Sequence, residues 1–168
     1  MPDVFNLTGE ALRKMMIVAV DVSGGGAAPS WEVQGYKTED TSIEFNPDST
    51  TITDVLGDTY TDVNKFEEQI TFEPNTLRMG AKLAELMHQY WRDGALGKFA
   101  LFRVLVGFGY LGTEGAWEAD VYEQSTIFPN SLGGSSRVDF PFTINLGGEK
   151  TKGTIDQLRT GLTFTAAS

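Results

Sequence analysis

Few of the side chains that do chemistry are present in this chain. Its 168 residues include no cysteine and a single histidine, His88. Without cysteine there is no disulfide, thiolate metal site, iron–sulfur cluster or thiol nucleophile. One histidine also rules out the two- and three-histidine zinc sites. Ser23, Ser30, Ser131, Ser135 and Ser136 are present, yet none lies in the G-x-S-x-G elbow that exposes a serine nucleophile. Gly24-Gly25-Gly26 follows a strand-like run, but no G-x-G-x-x-G or G-x-x-x-x-G-K-[ST] pattern surrounds it and no helical pattern follows. It reads as a plain loop. No catalytic residue, metal site or cofactor is assigned.

Carboxylates are the abundant reactive group. Glu118 and Asp120 share one face of a strand pattern, as do Glu67, Gln69 and Glu73, so a glycosidase-type pair is conceivable. Such spacing arises on any solvated sheet face, and nothing singles out one pair. Asp54 to Asp62 is rich in aspartate but lacks the central glycine and closing glutamate of an EF-hand.

The elements that carry these residues are mostly strands. Met15–Val20 is an unbroken apolar run, as expected of a strand covered on both faces. Alternation recurs at Trp31–Tyr36, Ile43–Phe45, Lys65–Glu73 and Trp117–Tyr122, with Glu68 out of phase in the third. It is cleanest from Val138 to Leu146, where Pro141 predicts an edge or a bulge and Gly147-Gly148 a turn. Asn46-Pro47-Asp48-Ser49 and Gly57-Asp58 are turn signals.

One amphipathic helix is predicted within 75–93, turning from about Thr76 to Arg92. Leu77, Met79, Leu83, Ala84, Leu86, Met87, Tyr90 and Trp91 form its apolar stripe and His88 lies on its wet arc. Asn75 or Thr76 is the predicted cap and Gly94 the left-handed stop. The expected fold is mainly β: one domain over 1–168, an antiparallel sandwich or barrel with a flanking helix, led by an arm over 1–14. No apolar run is long enough to span a membrane as a helix, and no leader pattern is evident. A soluble or assembled protein with no membrane partner is expected.

The charge is unevenly placed. The net charge is −10, and residues 39–73 hold ten carboxylates against one basic residue, Lys65. An excess of acid argues against sequence-independent binding to phosphate backbones, which relies on displacing counterions with Lys and Arg. A long acidic hairpin over 39–73 is predicted. It reads either as a solvated hairpin protected from edge pairing or as a surface that repels an anion or meets a basic partner. Its half-polar segments Thr50–Thr53 and Thr59–Thr61 suit pairing with a neighbouring subunit, as do the termini Pro2–Thr8 and Leu162–Ser168.

In the order of its parts the chain resembles the major tail tube proteins of long-tailed bacteriophages. The likeness is carried by MMIVAVDVSGGGAAPSWEV, then the acidic TSIEFNPDSTTITDVLGDTYTDVNKFEEQITFEP, the helix NTLRMGAKLAELMHQYW, and the closing TIFPNSLGGSSRVDFPFTINLGG with its following GTI. The family has no short catalytic or binding fingerprint. The resemblance implies a non-enzymatic virion protein, made in the host bacterial cytoplasm. It implies hexameric rings stacked into a hollow tube, with tape-measure, initiator and terminator proteins as partners and DNA as passing cargo.

An electronegative lumen would suppress the binding that stalls DNA transit. Glu67, Gln69, Glu73, Glu118 and Asp120 are the expected lumen residues. The Pro47–Asp62 region, with Asp48, Asp54, Asp58 and Asp62, is the expected contact with the next ring, and the two termini come second. Alternatives are the tube protein of a type VI or contractile injection system, which shares the ring architecture, and a carbohydrate-binding β-sandwich stacking Trp31, Tyr36, Trp91 or Trp117 on sugar. For the last, Trp91 and Trp117 are expected to be buried, which counts against it. A carboxylate hydrolase is a further class, needing a cleft around a perturbed pair.

Overall fold

A computed structural model describes residues 5–168. In chain order its strands are β1 (Met16–Asp21), β2 (Trp31–Val33), β3 (Ile43–Glu44), β4 (Pro47–Thr53), β5 (Thr59–Phe66) and β6 (Gln69–Phe72). The helix α1 (Lys82–Arg92) follows, then β7 (Phe102–Thr113), β8 (Ala116–Pro129), β9 (Phe142–Asn145), β10 (Lys150–Ile155) and β11 (Phe164–Ala166). The fold is mainly β, a curled antiparallel sheet forming a half-barrel with one helix against it.

The sheet runs β2-β1-β7-β8-β9-β6-β3, with β10 pairing both β8 and β11. β1 lies between β2 and β7 and is buried from Ile17 to Asp21, which is why its sequence shows no alternation. Val18 and Val20 enter one core with Val104, Ile127, Phe142, Ile144 and Phe72. Leu83, Met87 and Tyr90 of α1 close that core from above. Ile17 and Ala19 point the other way, into a second core with Leu105, Val121, Ile155 and Leu162.

β8 serves both halves of the sheet because its side-chain phase changes midway. Val104 pairs with Tyr122 but Phe102 pairs with Ser125, so β8 carries one extra residue. A bulge of this kind switches which alternate side chains face the core. Across from it, Gly147-Gly148 does not reverse the chain as the sequence predicts. β9 and β10 both run antiparallel to β8, from Pro129↔Phe142 to Trp117↔Ile155, as one strand bent at the two glycines. The Glu123 and Gln124 amides donate to the Glu149 and Gly147 carbonyls at 2.9 and 3.2 Å, so the bend is clasped to the bulge.

Other boundaries also differ from expectation. The helix begins at Lys82, not near Thr76, because the chain before it is extended: Leu77 N–H donates to the Val138 carbonyl and Phe140 N–H to that of Asn75. Gly80, at φ +84°, turns the chain out of that pairing. Met79 of the predicted stripe therefore lies outside the helix and is exposed, and Trp91, inside it, falls beside the buried stripe Leu83, Ala84, Met87 and Tyr90 and is 57% exposed. Gly94 does take the left-handed stop, at φ +69°. The alternating run at Val138–Leu146 is a strand only over Phe142–Asn145, with Pro141 just before it. The Lys65–Glu73 run breaks at Glu67-Glu68, because Glu68 turns to accept a hydrogen bond from Tyr122 on β8 at 2.5 Å.

The C-terminal segment is not a free arm. Leu162 is buried and Phe164–Ala166 pairs with β10. Of the N-terminal arm, residues 1–4 lie outside the described residues. From Phe5 onward it is tied to the end of β7, with Asn6 N–H on the Tyr110 carbonyl at 3.0 Å and Asn6 Nδ2 on that of Gly112 at 3.0 Å.

Candidate functional site

The hairpin β4–β5 stands apart from the rest of the sheet. It forms its own two-stranded sheet, Thr53↔Thr59 at the tip and Pro47↔Phe66 at the root, and every residue in both strands is exposed. Cross-strand threonine pairs, Thr51–Thr61 at 3.1 Å and Thr53–Thr59 at 3.2 Å, line one face; Ile52 and Tyr60 stand opposite each other on the other. An isolated two-stranded hairpin is marginal in water. This one meets its own body only at the root, where the Phe66 ring lies 5.4 Å from that of Phe45, and both rings stay more than half exposed.

The tip is a built turn. Asp54 Oδ1 accepts from the amides of Leu56 and Asp58 at 2.9 and 3.0 Å, and Gly57 takes φ +88°. That turn presents Val55, fully exposed, and Leu56, 83% exposed, flanked by the carboxylates of Asp54 and Asp58. Asp62 lies along β5 opposite Thr50, and Asp48 lies at the root opposite Lys65, beside a register shift. The four aspartates predicted as a contact surface are thus all on the hairpin, two of them at its tip. The apolar pair between them was missed at the sequence level, although two large apolar residues inside a turn are a readable departure from polar turn chemistry.

The two sets of carboxylates predicted to share a surface are separated. Asp120 pairs in register with Val106 and Glu118 with Phe108, and through them with Val18 and Met16, so both lie on the side that continues the first core. Gln69 and Thr71 alternate with Ile70 and Phe72, which enter that core, so they point to the opposite side. Gln69 is level with Thr126, eight positions along β8 from Glu118, roughly 27 Å of strand. Glu67 is exposed and bridges to Lys65 at 3.0 Å, and Glu73 is exposed just beyond β6.

Around Asp120 the charge is partly balanced. Lys150 Nζ lies 3.4 Å from its carboxylate and Lys152 is its register partner on β10. Tyr122 on the same face donates to Glu68 and lies beneath Lys150, 5.4 Å from the ring centre. Burial first, then the Glu68 and Asp120 carboxylates, push the Tyr122 phenol far above its ordinary range, so it stays a neutral donor.

Several hollows face solvent near α1, among them two of contrasting lining. One, of about 660 Å³, is lined by Trp91, Leu96, Phe99, Phe128, Leu132 and Phe140 and is largely apolar. The other, of about 430 Å³, lies along β2 and is lined by Trp31, Val33, Tyr36, Arg78, Lys82 and Arg159. His88 is half-buried, edge-on to Trp91 and Phe140, instead of solvated as predicted. Trp31 and Trp117 are half-buried against the second core.

The Gly24–Gly26 loop is held shut by a pair from β1 and β7. Asp21 Oδ1 accepts from the amides of Ser23 and Ser30 at 2.9 and 3.0 Å, while Arg103 reaches Asp21 Oδ2 and the Gly26 carbonyl. The Gly26 amide in turn donates to the Ser23 hydroxyl at 3.1 Å.

Among the described residues no group of three His, Asp or Glu is placed to hold a metal, and no helix is long and apolar enough to cross a membrane. No protein-family model matches the chain, and no curated protein matches it.

Proposed function

We propose that this protein is a structural subunit that assembles with copies of itself into stacked hexameric rings, forming the hollow tail tube through which phage DNA passes. The observation that carries the reading is the β4–β5 hairpin. Twenty residues hold a regular ladder with all its strand side chains in solvent and an apolar pair at the tip. Such an element gains its burial from another molecule. A contact of one surface on a different surface of the next copy is heterologous, and such contacts close into rings or extend into filaments.

The rest of the chain supports the same reading. The net charge of −10 disfavours retention of DNA. Glu118 and Asp120 lie on one side of the sheet and Gln69 on the other, so one lumen wall presents one set. Lys150 and Lys152 beside Asp120, and Lys65 beside Glu67, offset part of the charge in both sets.

Negative-stain electron microscopy at high protein concentration, alongside solution mass, tests the reading. Rings or tubes with a central channel are expected; compact monomers at every concentration would overturn it.

A second reading rests on Trp91. The sequence expects it in the core, yet it is exposed at the mouth of the 660 Å³ hollow with Phe128, next to Asn130 and Ser131. An exposed ring beside polar groups is the arrangement a carbohydrate-binding sandwich uses. Tryptophan fluorescence titrated with oligosaccharides separates this monomeric binding module from the assembling subunit.

A further inference from the structure

The groove along β2 joins basic to aromatic side chains. In a chain of net charge −10, four of the thirteen basic residues gather about Tyr36. Arg78 stacks on its ring at 4.2 Å, Lys37 Nζ is 5.5 Å from the ring centre, and Lys82 and Arg159 line the hollow. Of the nearby carboxylates, Glu32 is engaged by the amides that open α1 and Glu85 lies 3.9 Å from Lys82. Trp31, Val33 and Tyr36 give the groove an apolar floor.

The tip of β4–β5 is complementary to it in both respects. It offers two exposed apolar side chains, Val55 and Leu56, between the carboxylates of Asp54 and Asp58, with Asp62 further down β5. The tip does not occupy the groove of its own chain, because both side chains are free in solvent. The hairpin is also rooted at the Gln69 end of β6, whereas the groove lies toward the other end, where Thr38 bonds the Pro74 carbonyl at 2.8 Å and Arg78 covers Tyr36.

We propose that the receptor for the hairpin tip is the Tyr36 groove of a second copy of this chain: Val55 and Leu56 seat against Trp31, Val33 and Tyr36 while Asp54 and Asp58 meet Arg78 and Arg159. This rests on the assembling-subunit reading and names the surface it uses. The apolar hollow beside Trp91 is the competing receptor. Charge decides against it, since burying the tip there would strip water from two aspartates without a cation among the lining residues to meet them.

The absence of cysteine permits a direct test. Leu56→Cys protein is mixed under mild oxidation with Thr160→Cys protein, or with Phe128→Cys protein as the competing site. All three positions are exposed, so folding is retained, checked by circular dichroism. The expected result is a disulfide dimer forming at least tenfold faster with Thr160→Cys than with Phe128→Cys. That rate should fall as salt rises. It should drop when Asp54 and Asp58 become lysine and recover when the partner carries Arg78→Glu and Arg159→Glu.

A faster reaction with Phe128→Cys, or equal rates in preparations that form rings, overturns the groove and leaves the assembling subunit standing. Equal rates in preparations that remain monomeric at every concentration overturn both.

Discussion

The carboxylate of Glu32, on the edge strand β2, accepts hydrogen bonds from the backbone amides of Lys82 at 2.7 Å and Leu83 at 3.2 Å, and so caps a helix fifty residues further along the chain. The residue just before the helix, Ala81, has no side-chain oxygen to do this. Glu32 also places a negative charge at the positive end of α1 and is steadied by Gln34 Nε2 at 3.1 Å. One side chain therefore ties the edge of the sheet to the helix that covers the first core.

Glu32→Ala should lower stability by about 1 kcal/mol, the typical value of a lost helix cap. For a chain of this size that is roughly 2–4 °C in the thermal midpoint. Glu32→Gln, which keeps one acceptor oxygen but not the charge, should lose less. Thermal unfolding followed at 222 nm makes the comparison; equal losses for both variants would mean that the carboxylate acts through packing and not as a cap.

That cap also marks where the sequence stops being legible. The unbroken run Ile17–Val20, the alternation at Trp117–Tyr122 and Phe142–Asn145 and the stripe Leu83, Ala84, Met87, Tyr90 are readable, because each is a local pattern set by burial. The helix start was misplaced because Asn75 is a good cap by type, yet its Nδ2 bonds the Phe140 carbonyl, sixty-five residues away. Gly147-Gly148 was read as a reversal because two glycines signal a turn locally, whereas their course is set by the β8 bulge across from them. The hairpin expected over 39–73 is shorter, Pro47–Phe66, and carries four of that stretch's ten carboxylates, because Ile43–Glu44 and Gln69–Phe72 pair into the main sheet. The groove around Tyr36 was not readable, since residues 36, 78, 82 and 159 meet only once the sheet has curled.

Asp21 makes part of the stability pH-dependent. Burial alone would raise its carboxyl, but the amides of Ser23 and Ser30, the Ser23 hydroxyl and the Arg103 guanidinium together hold it below the ordinary carboxylate range. Because the folded value is the lower one, the stabilisation is complete above the unfolded value near ~3.9 and is lost as pH falls below it. Asp21→Asn should therefore be destabilised at neutral pH, by about 2 kcal/mol given that Arg103 is left half-paired but still touches water. The gap to the native protein should narrow below about pH 4. Urea midpoints across that range check it; a gap independent of pH would remove Asp21 as the titrating group.

Gly148 bends the β9–β10 strand at φ +76°, and a Cβ there would lie 2.6 Å from the amide nitrogen of Gln124. Gly148→Ala combines a strained backbone with a clash against main chain that cannot swing away. A loss of about 2–4 kcal/mol is expected. Gly25→Ala is the control: it also has a positive φ, +96°, but open space around it, and should cost only about 1 kcal/mol. Chemical denaturation of the pair separates strain from collision, and equal losses would mean that the bulge relaxes to make room.

Folding and assembly should come apart at the hairpin tip. Val55 and Leu56 touch nothing that holds the monomer together, so Val55→Ser with Leu56→Ser should leave the unfolding midpoint of dilute protein within about 0.5 kcal/mol of the original. Polar tips should even improve monomer solubility, since an exposed apolar pair is a liability unless a partner covers it. In concentrated protein the same double variant should lose rings or tubes by electron microscopy and sediment as a monomer. The outcome discriminates because a core defect would lower both readouts together, whereas an interface defect lowers only the second. Unchanged assembly would show that the tip is a bystander and move the search for the contact to the exposed faces of β4 and β5, where Ile52 and Tyr60 stand side by side.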